Sequence, residues 1–291
     1  MQLAVIDDKI LPYAELDSAY LDRGTFFGDG VYEVIRSYDG RLFALEQHLA
    51  RFDRSLREAG IEGINVNEVR GRVEEVFDRA GIPNARVYFH ITRGCGDRNH
   101  GLVPGIRPRF FLTLMQLADK AANKENGVSV STFPDWRWKR CDIKSLNLLP
   151  NVLARIDAEK KGCAEAILVN DAGEITEGSS SAFFMIRSGT EVVTRPLGPD
   201  ILPSITRAIV DRLARASGLR VVEAPYSPQD AARADELFLA VTTQDIVPVV
   251  RFDGIQIGDG RPGPCTRALI KAFSEFVRHP QMNCKPGERS C

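Results

Sequence analysis

An excess of charge of either sign is missing from this sequence. Its 291 residues carry 38 Lys and Arg against 39 Asp and Glu, a net charge of −1. That balance excludes a basic surface for nucleic acid or an anionic membrane as the organising feature. No apolar run approaches the roughly 20 residues needed to span a bilayer. The opening stretch, MQLAVIDDKILPYAELD, has acids where a secretion signal has basic residues, so a cytoplasmic protein is the expectation. The six cysteines (Cys95, Cys141, Cys163, Cys265, Cys284 and Cys291) include no C-x-x-C pair. Reduced thiols are expected rather than a zinc site or a disulfide framework. His48, His90 and His279 have no partners at metal-ligand spacing, so no metal is expected. There is no N-x-Ser/Thr acceptor, no internal repeat and no low-complexity segment. The one literal G-x-G-x-x-G, GDGRPG at 258–263, contains a proline and leaves no room for a βαβ unit. It reads as a turn before the last helix.

What is present is an alternation of strand and helix patterns, an α+β organisation. VYEVIRSY and RLFA flank Asp39-Gly40, a strong hairpin signal, over residues 31–44. Leu45, Leu49, Phe52 and Leu56 share one stripe of a helix expected over about 45–59, with Gly60 as its stop. A second helix is expected over about 67–80, then strands in ARVYFHITRG and PRFFLTLMQL. The polar run 118–127, ADKAANKENG, is the linker candidate. Beyond it VSVSTF, EAILVN, SAFFMI and ELFLAV read as strands, and helices are expected near 150–161, 204–217 and 264–277. Gly162 and Gly218 fall just past two of these, where a left-handed cap is favoured. The expected division is a domain over 1–117, a linker over 118–127, a larger domain over 128–280 and a polar, disordered tail over 281–291.

Two residues stand out chemically. Lys144 lies in CDIKSLNLLPN (141–151), a lone cation among apolar and amide residues. An amine in such surroundings is poorly hydrated in its charged form and becomes nucleophilic near neutral pH. Glu177 lies in EITEGSSSAFF (174–184), followed at once by a glycine and three serines. A buried carboxylate with hydroxyl donors around it can hold its charge against a cation such as a pyridinium. A lysine and a carboxylate are the two protein groups that pyridoxal phosphate chemistry requires. Taken singly, other residues read blandly. Arg51 is a flank arginine on its helix, Arg98 and His100 a charged pair in a Gly/Pro-rich loop, Tyr32 a half-buried strand tyrosine, and Thr242 and Thr243 strand-end residues.

The stretch from Glu177 through Val192-Val193-Thr194 to Leu202-Pro203-Ser204-Ile205-Thr206-Arg207 resembles the class IV aminotransferases, the fold-type IV pyridoxal-phosphate enzymes. Over about residues 1–278 the chain is most similar, within that class, to the bacterial D-amino-acid aminotransferases. FGDGVYEVIR (27–36), HLAR (48–51), VYFHITRG (87–94), RNH (98–100), DIKSLNLL (142–149), TEGSSS (176–181), ELFLAVTT (236–243) and GDGRPGPCTR (258–267) carry the likeness. The resemblance implies a small α/β domain followed by a larger one built on a pseudo-barrel of strands, in a homodimer. It implies pyridoxal 5′-phosphate as cofactor, with Lys144 as the catalytic lysine that carries it and Glu177 on the ring nitrogen. Arg51, Ser179, Ser180, Ile205, Thr206, Thr242 and Thr243 would complete the cofactor site. Arginine offers a phosphate paired donors, and the helix start at Ser204-Ile205-Thr206 offers free N–H groups and a favourable dipole. Tyr32, Arg98 and His100 would trap the substrate α-carboxylate, the loop of Arg98 reaching the neighbouring subunit's site. Amino acids and 2-oxo acids are the implied substrates, D-amino acids first. An (R)-amine transaminase, an L-branched-chain aminotransferase and an aminodeoxychorismate lyase remain as alternatives on the same fold, as does a non-catalytic binding protein. The sequence departs from the class at Ala182, where Asn is usual, and at Thr25-Phe26, where Tyr-Gln is usual. The first removes an amide hydrogen bond; the second implies a different side-chain preference.

Overall fold

The computed structural model describes residues 1–101, 104–118 and 120–278. The expected tail at 281–291 and His279 lie outside them. An amino-terminal hairpin, β1 (Leu3–Ile6) and β2 (Lys9–Pro12), leads into the short helix α1 (Arg23–Phe27). Four antiparallel strands follow, β3 (Gly30–Tyr38), β4 (Arg41–Leu42), β5 (Ala85–Thr92) and β6 (Arg109–Gln116), in the order β4-β3-β5-β6. Asp39 and Gly40 both have positive φ, 47° and 77°, the geometry a two-residue hairpin turn requires. The helices α2 (Leu45–Glu58) and α3 (Val66–Ala80) cover one face of this sheet. Leu49, Phe52 and Leu56 meet Val31, Ile35, Val87 and Phe89 there, the period-3.6 stripe of α2 against the period-2 faces of β3 and β5.

The linker candidate at 118–127 carries a helix, α4 (Ala121–Asn126). It is tied to the second sheet: Asn123 donates to Gln244 at 2.8 Å, and Lys124 pairs with Asp245. Then come β7 (Val128–Pro134), α5 (Leu149–Lys160), β8 (Glu165–Val169), β9 (Ile175–Gly178), β10 (Ala182–Arg187) and β11 (Glu191–Thr194). The chain continues through α6 (Ile205–Ala216), β12 (Arg220–Glu223), α7 (Pro228–Ala232), β13 (Glu236–Val241), β14 (Asp245–Phe252), β15 (Ile255–Gln256) and α8 (Pro264–Arg278). The strands form one mixed sheet in the order β12-β11-β10-β13-β14-β7-β8-β9, with β15 on β14. β9 is an edge strand, yet only Ser179–Ser181 separate it from β10 near the other edge, so the sheet has to curl. The curl makes the half-barrel expected of a fold-type IV enzyme.

Both faces of that sheet are covered at its centre, which is why β10 and β13 carry the continuous apolar runs AFFMI and LFLAV. Phe183, Met185, Leu237 and Leu239 point into the barrel beside Val130, Ile167 and Phe252. Phe184, Ile186 and Phe238 point the other way, onto Val210 of α6 and Leu269 and Phe273 of α8. The GDGRPG stretch is the turn between β15 and α8. Among the described residues, no helix is long and apolar enough to cross a membrane. Nor, among them, does any group of three or more His, Cys, Asp or Glu stand where it could hold a metal ion.

Candidate active site

Residues 142–148 do not form a regular element, but they are anchored. Tyr32 N–H donates to Lys144 O at 2.9 Å and Leu146 N–H to Gly30 O at 2.9 Å, so the segment lies along the start of β3. Lys144 N–H donates to Ser55 Oγ of α2 at 3.2 Å. Its side chain enters a cavity of about 500 Å³ between the two sheets, with Nζ 4.4 Å from the centre of the Tyr32 ring. Glu177, at the end of β9, lines the same cavity.

Glu177 is 7% exposed. Its Oε1 accepts from Arg137 Nη1 and, at 3.1 Å, from Leu202 N–H. Arg137 is held in turn by Asp135, at 2.8 Å, and by Asp200 O at 3.0 Å. Burial pushes the Glu177 carboxyl above its ordinary value; Arg137, the Leu202 amide and the charge of Lys144 pull in the other direction and do not cancel it. A cationic group brought against this carboxylate would therefore be stabilised and would stabilise it. The serines do not serve Glu177, contrary to the expectation. Ser179, Ser180 and Ser181 all donate to Glu165 of β8, at 2.6 Å for Ser180 and 3.2 Å for Ser181. A Cβ at Gly178 would lie 2.0 Å from Ser181 Oγ, so a side chain there would displace that hydroxyl from its present position. Ser179 and Ser180 nonetheless line the cavity, as does Ala182.

At the other end of the cavity, Arg51 is not the solvated flank residue its helix position suggests; it is 8% exposed. Its Nε and Nη2 donate to the two oxygens of Glu33 at 2.7 and 2.8 Å, and Nη1 donates to Pro203 O at 3.1 Å. His48 Nδ1 stands 2.8 Å from Glu33 Oε2. Burial works against the Glu33 charge, but Arg51 and His48 hold the carboxyl well below the usual range. Burial likewise lowers His48, against the pull of Glu33. The Pro203 contact seats Arg51 beside the start of α6, where Ser204 is the N-cap and accepts from Arg207 N–H at 3.2 Å. The first-turn amides of Ile205 and Thr206 have no acceptor within an α-helix. An arginine and a helix N-terminus thus converge, a setting suited to a phosphate. Thr242 and Thr243 line the cavity from the β13–β14 turn. The side chain of Ile205 faces a second cavity instead, and Thr206 is buried.

Tyr32 is thus brought together with Lys144 and Glu177, while Arg98 and His100 are not. Both are exposed, in a loop packed on Phe27: the His100 ring is 5.0 Å and the Arg98 guanidinium 5.3 Å from that ring's centre. The charged residues of the site that were missed from the sequence include Glu33, Arg137 and Glu165, and also Arg86 and Arg155 on the cavity wall. Glu33 had a usable signal, since it shares the period-2 face of Val31 and Ile35 in β3 and so had to be buried. Cys141 is also on the cavity wall, its thiol pushed by burial up to about 12.

A lysine and a braced carboxylate facing each other across a cavity with a phosphate-like cradle agree with the family comparison. Residues 30–252 match the family model for amino-transferase class IV. The chain belongs to this family. Curated relatives of this class IV aminotransferase include the D-alanine aminotransferase of Staphylococcus haemolyticus, 37% identical over 280 residues, 95% of this chain and 98% of that one. The D-alanine aminotransferase of Bacillus licheniformis is 39% identical over 257 residues, 88% of this chain and 90% of that one. The fold is similar to that of the Escherichia coli branched-chain amino acid aminotransferase, with a TM-score of 0.84 at 24% identity over 93% of both chains. It is also similar to the branched-chain amino acid aminotransferase from Thermobaculum terrenum in its PLP-containing holo-form, with a TM-score of 0.80 at 24% identity over 94% and 93% of the chains.

Proposed function

We propose that this protein is a pyridoxal-phosphate-dependent transaminase that moves the amino group of D-amino acids, such as D-alanine, onto 2-oxo acids such as pyruvate or 2-oxoglutarate, in a ping-pong cycle. The observation that carries the reading is the single cavity into which Lys144, Tyr32 and Glu177 all project. The donor set fits the cofactor. Arg51, the amides of Ile205 and Thr206 and the hydroxyls of Thr242 and Thr243 suit its phosphate, and Glu177 suits its ring nitrogen. Ser179 and Ser180 stand on the wall between. When bound, the cofactor supplies an electron sink for the bonds at the substrate Cα.

The protein's part is positioning and proton transfer. Glu177, braced by Arg137, keeps a proton on the group facing it. Lys144 Nζ would carry the cofactor between turnovers, and once freed it would take the proton from the substrate Cα and deliver it to the carbon that ends up bearing the amino group. Tyr32 directs the substrate within reach of that amine. With the base fixed on one side, the position of the α-carboxylate decides which enantiomer offers its Cα hydrogen; Arg98 and His100 take that carboxylate. Their loop stands outside this chain's own cavity, which supports a homodimer in which they complete the partner's site. Exposed Leu149, Val152, Leu153 and Ile156 form one stripe along α5 at the cavity mouth, and Trp136 and Trp138 lie exposed beside it. Such an apolar surface suits burial against a partner. The two sheets are proposed as the two domains, and the cytoplasm as the location.

The test is a donor panel read by amino transfer to pyruvate or 2-oxoglutarate, with D- and L-amino acids and simple amines. Turnover with D-alanine or D-glutamate is expected. Turnover confined to L-branched-chain donors, or to amines without a carboxylate, would refute the substrate reading.

A further inference from the structure

A buried arginine outside the cavity does unusual work. Arg23, the first residue of α1, is 5% exposed. Its guanidinium is spent on backbone carbonyls of the loop that carries Arg98 and His100. Nη1 donates to Asn99 O and, at 3.3 Å, to Gly101 O, and Nη2 donates to His100 O at 3.2 Å. Nε is fixed by Asp29 at 2.7 Å, and Asp29 also accepts from Arg93 at 2.9 Å. Arg93 in turn donates to Ala59 O and Gly60 O, at 2.7 and 2.6 Å, just past the end of α2. The guanidinium of Arg23 also lies 5.0 Å from the centre of the Phe27 ring, on which Arg98 and His100 pack. The loop has no strand or helix of its own, and its side chains are exposed. Its shape at 98–101 is therefore set by what holds its carbonyls.

We infer that Arg23 is a positioning residue for the carboxylate trap, fixing the loop 98–101 so that Arg98 and His100 present a preformed pair of donors. A rigid element would position them unaided; an irregular loop needs an external brace to hold its side chains in a productive geometry. Arg23 suits the task because a planar fork reaches several carbonyls at once while its third nitrogen is pinned by a carboxylate. A lysine in its place would offer one point donor. The inference rests on the proposed role of Arg98 and His100, and the experiment separates the two.

The holoenzyme would be compared as wild type, Arg23→Lys, Arg23→Ala, Arg98→Ala and the Arg23→Ala/Arg98→Ala double variant, with D-alanine as donor. Melting temperature and cofactor absorbance would be recorded for each. Phe27→Leu serves as a second probe of the same loop should Arg23→Ala not fold. Loss of charged hydrogen bonds predicts a KM for D-alanine raised on the order of tenfold in Arg23→Ala, with kcat little changed and partial recovery in Arg23→Lys. In the Arg98→Ala background the Arg23 substitution is expected to add nothing, because the group it positions is gone. Fully additive effects, or a fall in kcat and cofactor content with KM unchanged, would overturn the positioning role. If Arg98→Ala itself leaves KM unaltered while Arg23→Ala raises it, the carboxylate trap is what fails.

Discussion

At the scale of single residues, the site depends on charges that burial would not tolerate alone. Glu177 is the clearest, its carboxyl raised above the ordinary value by burial despite Arg137. A cationic ring nitrogen relieves that cost, so Glu177→Gln is expected to weaken the stabilisation of developing charge at Cα. The expected loss in kcat is on the order of 10²–10³, with the protein still folded and still taking up cofactor. Steady-state kinetics with D-alanine checks this, and unchanged kcat would remove Glu177 from the mechanism. Lys144 and Glu177 were legible because each sits in a local run that is chemically odd. Their supports were not. Arg137 lies 40 positions from Glu177, and Glu33 lies 18 positions from Arg51. The serines misled for the same reason: adjacency to Glu177 in sequence suggested donation to it, but the β9–β10 turn aims them at Glu165 on the neighbouring strand.

At the scale of elements, the long amphipathic helices and the Asp39-Gly40 hairpin were readable because their periodicity is strong. β14 was not, since Pro248 lies inside it and a proline argues against a strand within a sheet. α4 was hidden by its polar composition. What no local pattern announced is how β3, α4 and β14 meet. Asp245, first residue of β14 and 7% exposed, accepts from Arg36 at 2.7 Å, from the Tyr38 hydroxyl and from Lys124. Arg36 also donates to Thr243 O at 3.3 Å, so this latch holds the turn that carries Thr242 and Thr243. Asp245→Asn is expected to lower stability by about 1.5–3 kcal/mol, the value of hydrogen bonds to a charged group. It should also weaken cofactor retention, measured by loss of cofactor absorbance on dialysis. Retention equal to wild type would dissociate the latch from the site.

At the scale of the whole molecule, acid sensitivity should follow from the Glu33–His48–Arg51 cluster. His48 is held below its ordinary 6.5 in the folded state, so the unfolded chain binds a proton that the native one does not. Its contribution to stability is full above 6.5 and falls as pH drops below it, by about 1.4 kcal/mol per pH unit until the folded value is reached. Glu33, also lowered, contributes fully above its ordinary 4.5 and adds a further decline below it. Melting of the cofactor-free protein against pH should therefore fall from 6.5 downward. His48→Gln should flatten the upper part of that fall; a slope unaffected by the substitution would exonerate His48. Assembly is testable by complementation. Lys144→Ala and Arg98→Ala chains are unfolded together and refolded as a mixture. The assay uses a D-alanine concentration well below the raised KM expected of Arg98→Ala, where neither parent turns over appreciably. If Arg98 serves the partner's site, random pairing restores about a quarter of wild-type activity, because half the dimers carry one intact site. No recovery would place Arg98 within its own subunit's chemistry or outside the site altogether.

The central claim is that one amine, Lys144 Nζ, carries the cofactor. Borohydride reduction of the holoenzyme followed by peptide mass spectrometry tests it most directly. The account predicts a phosphopyridoxyl group on Lys144 alone, absent from Lys144→Ala. A reduced adduct on any other lysine, or one that survives in Lys144→Ala at full yield, would contradict it.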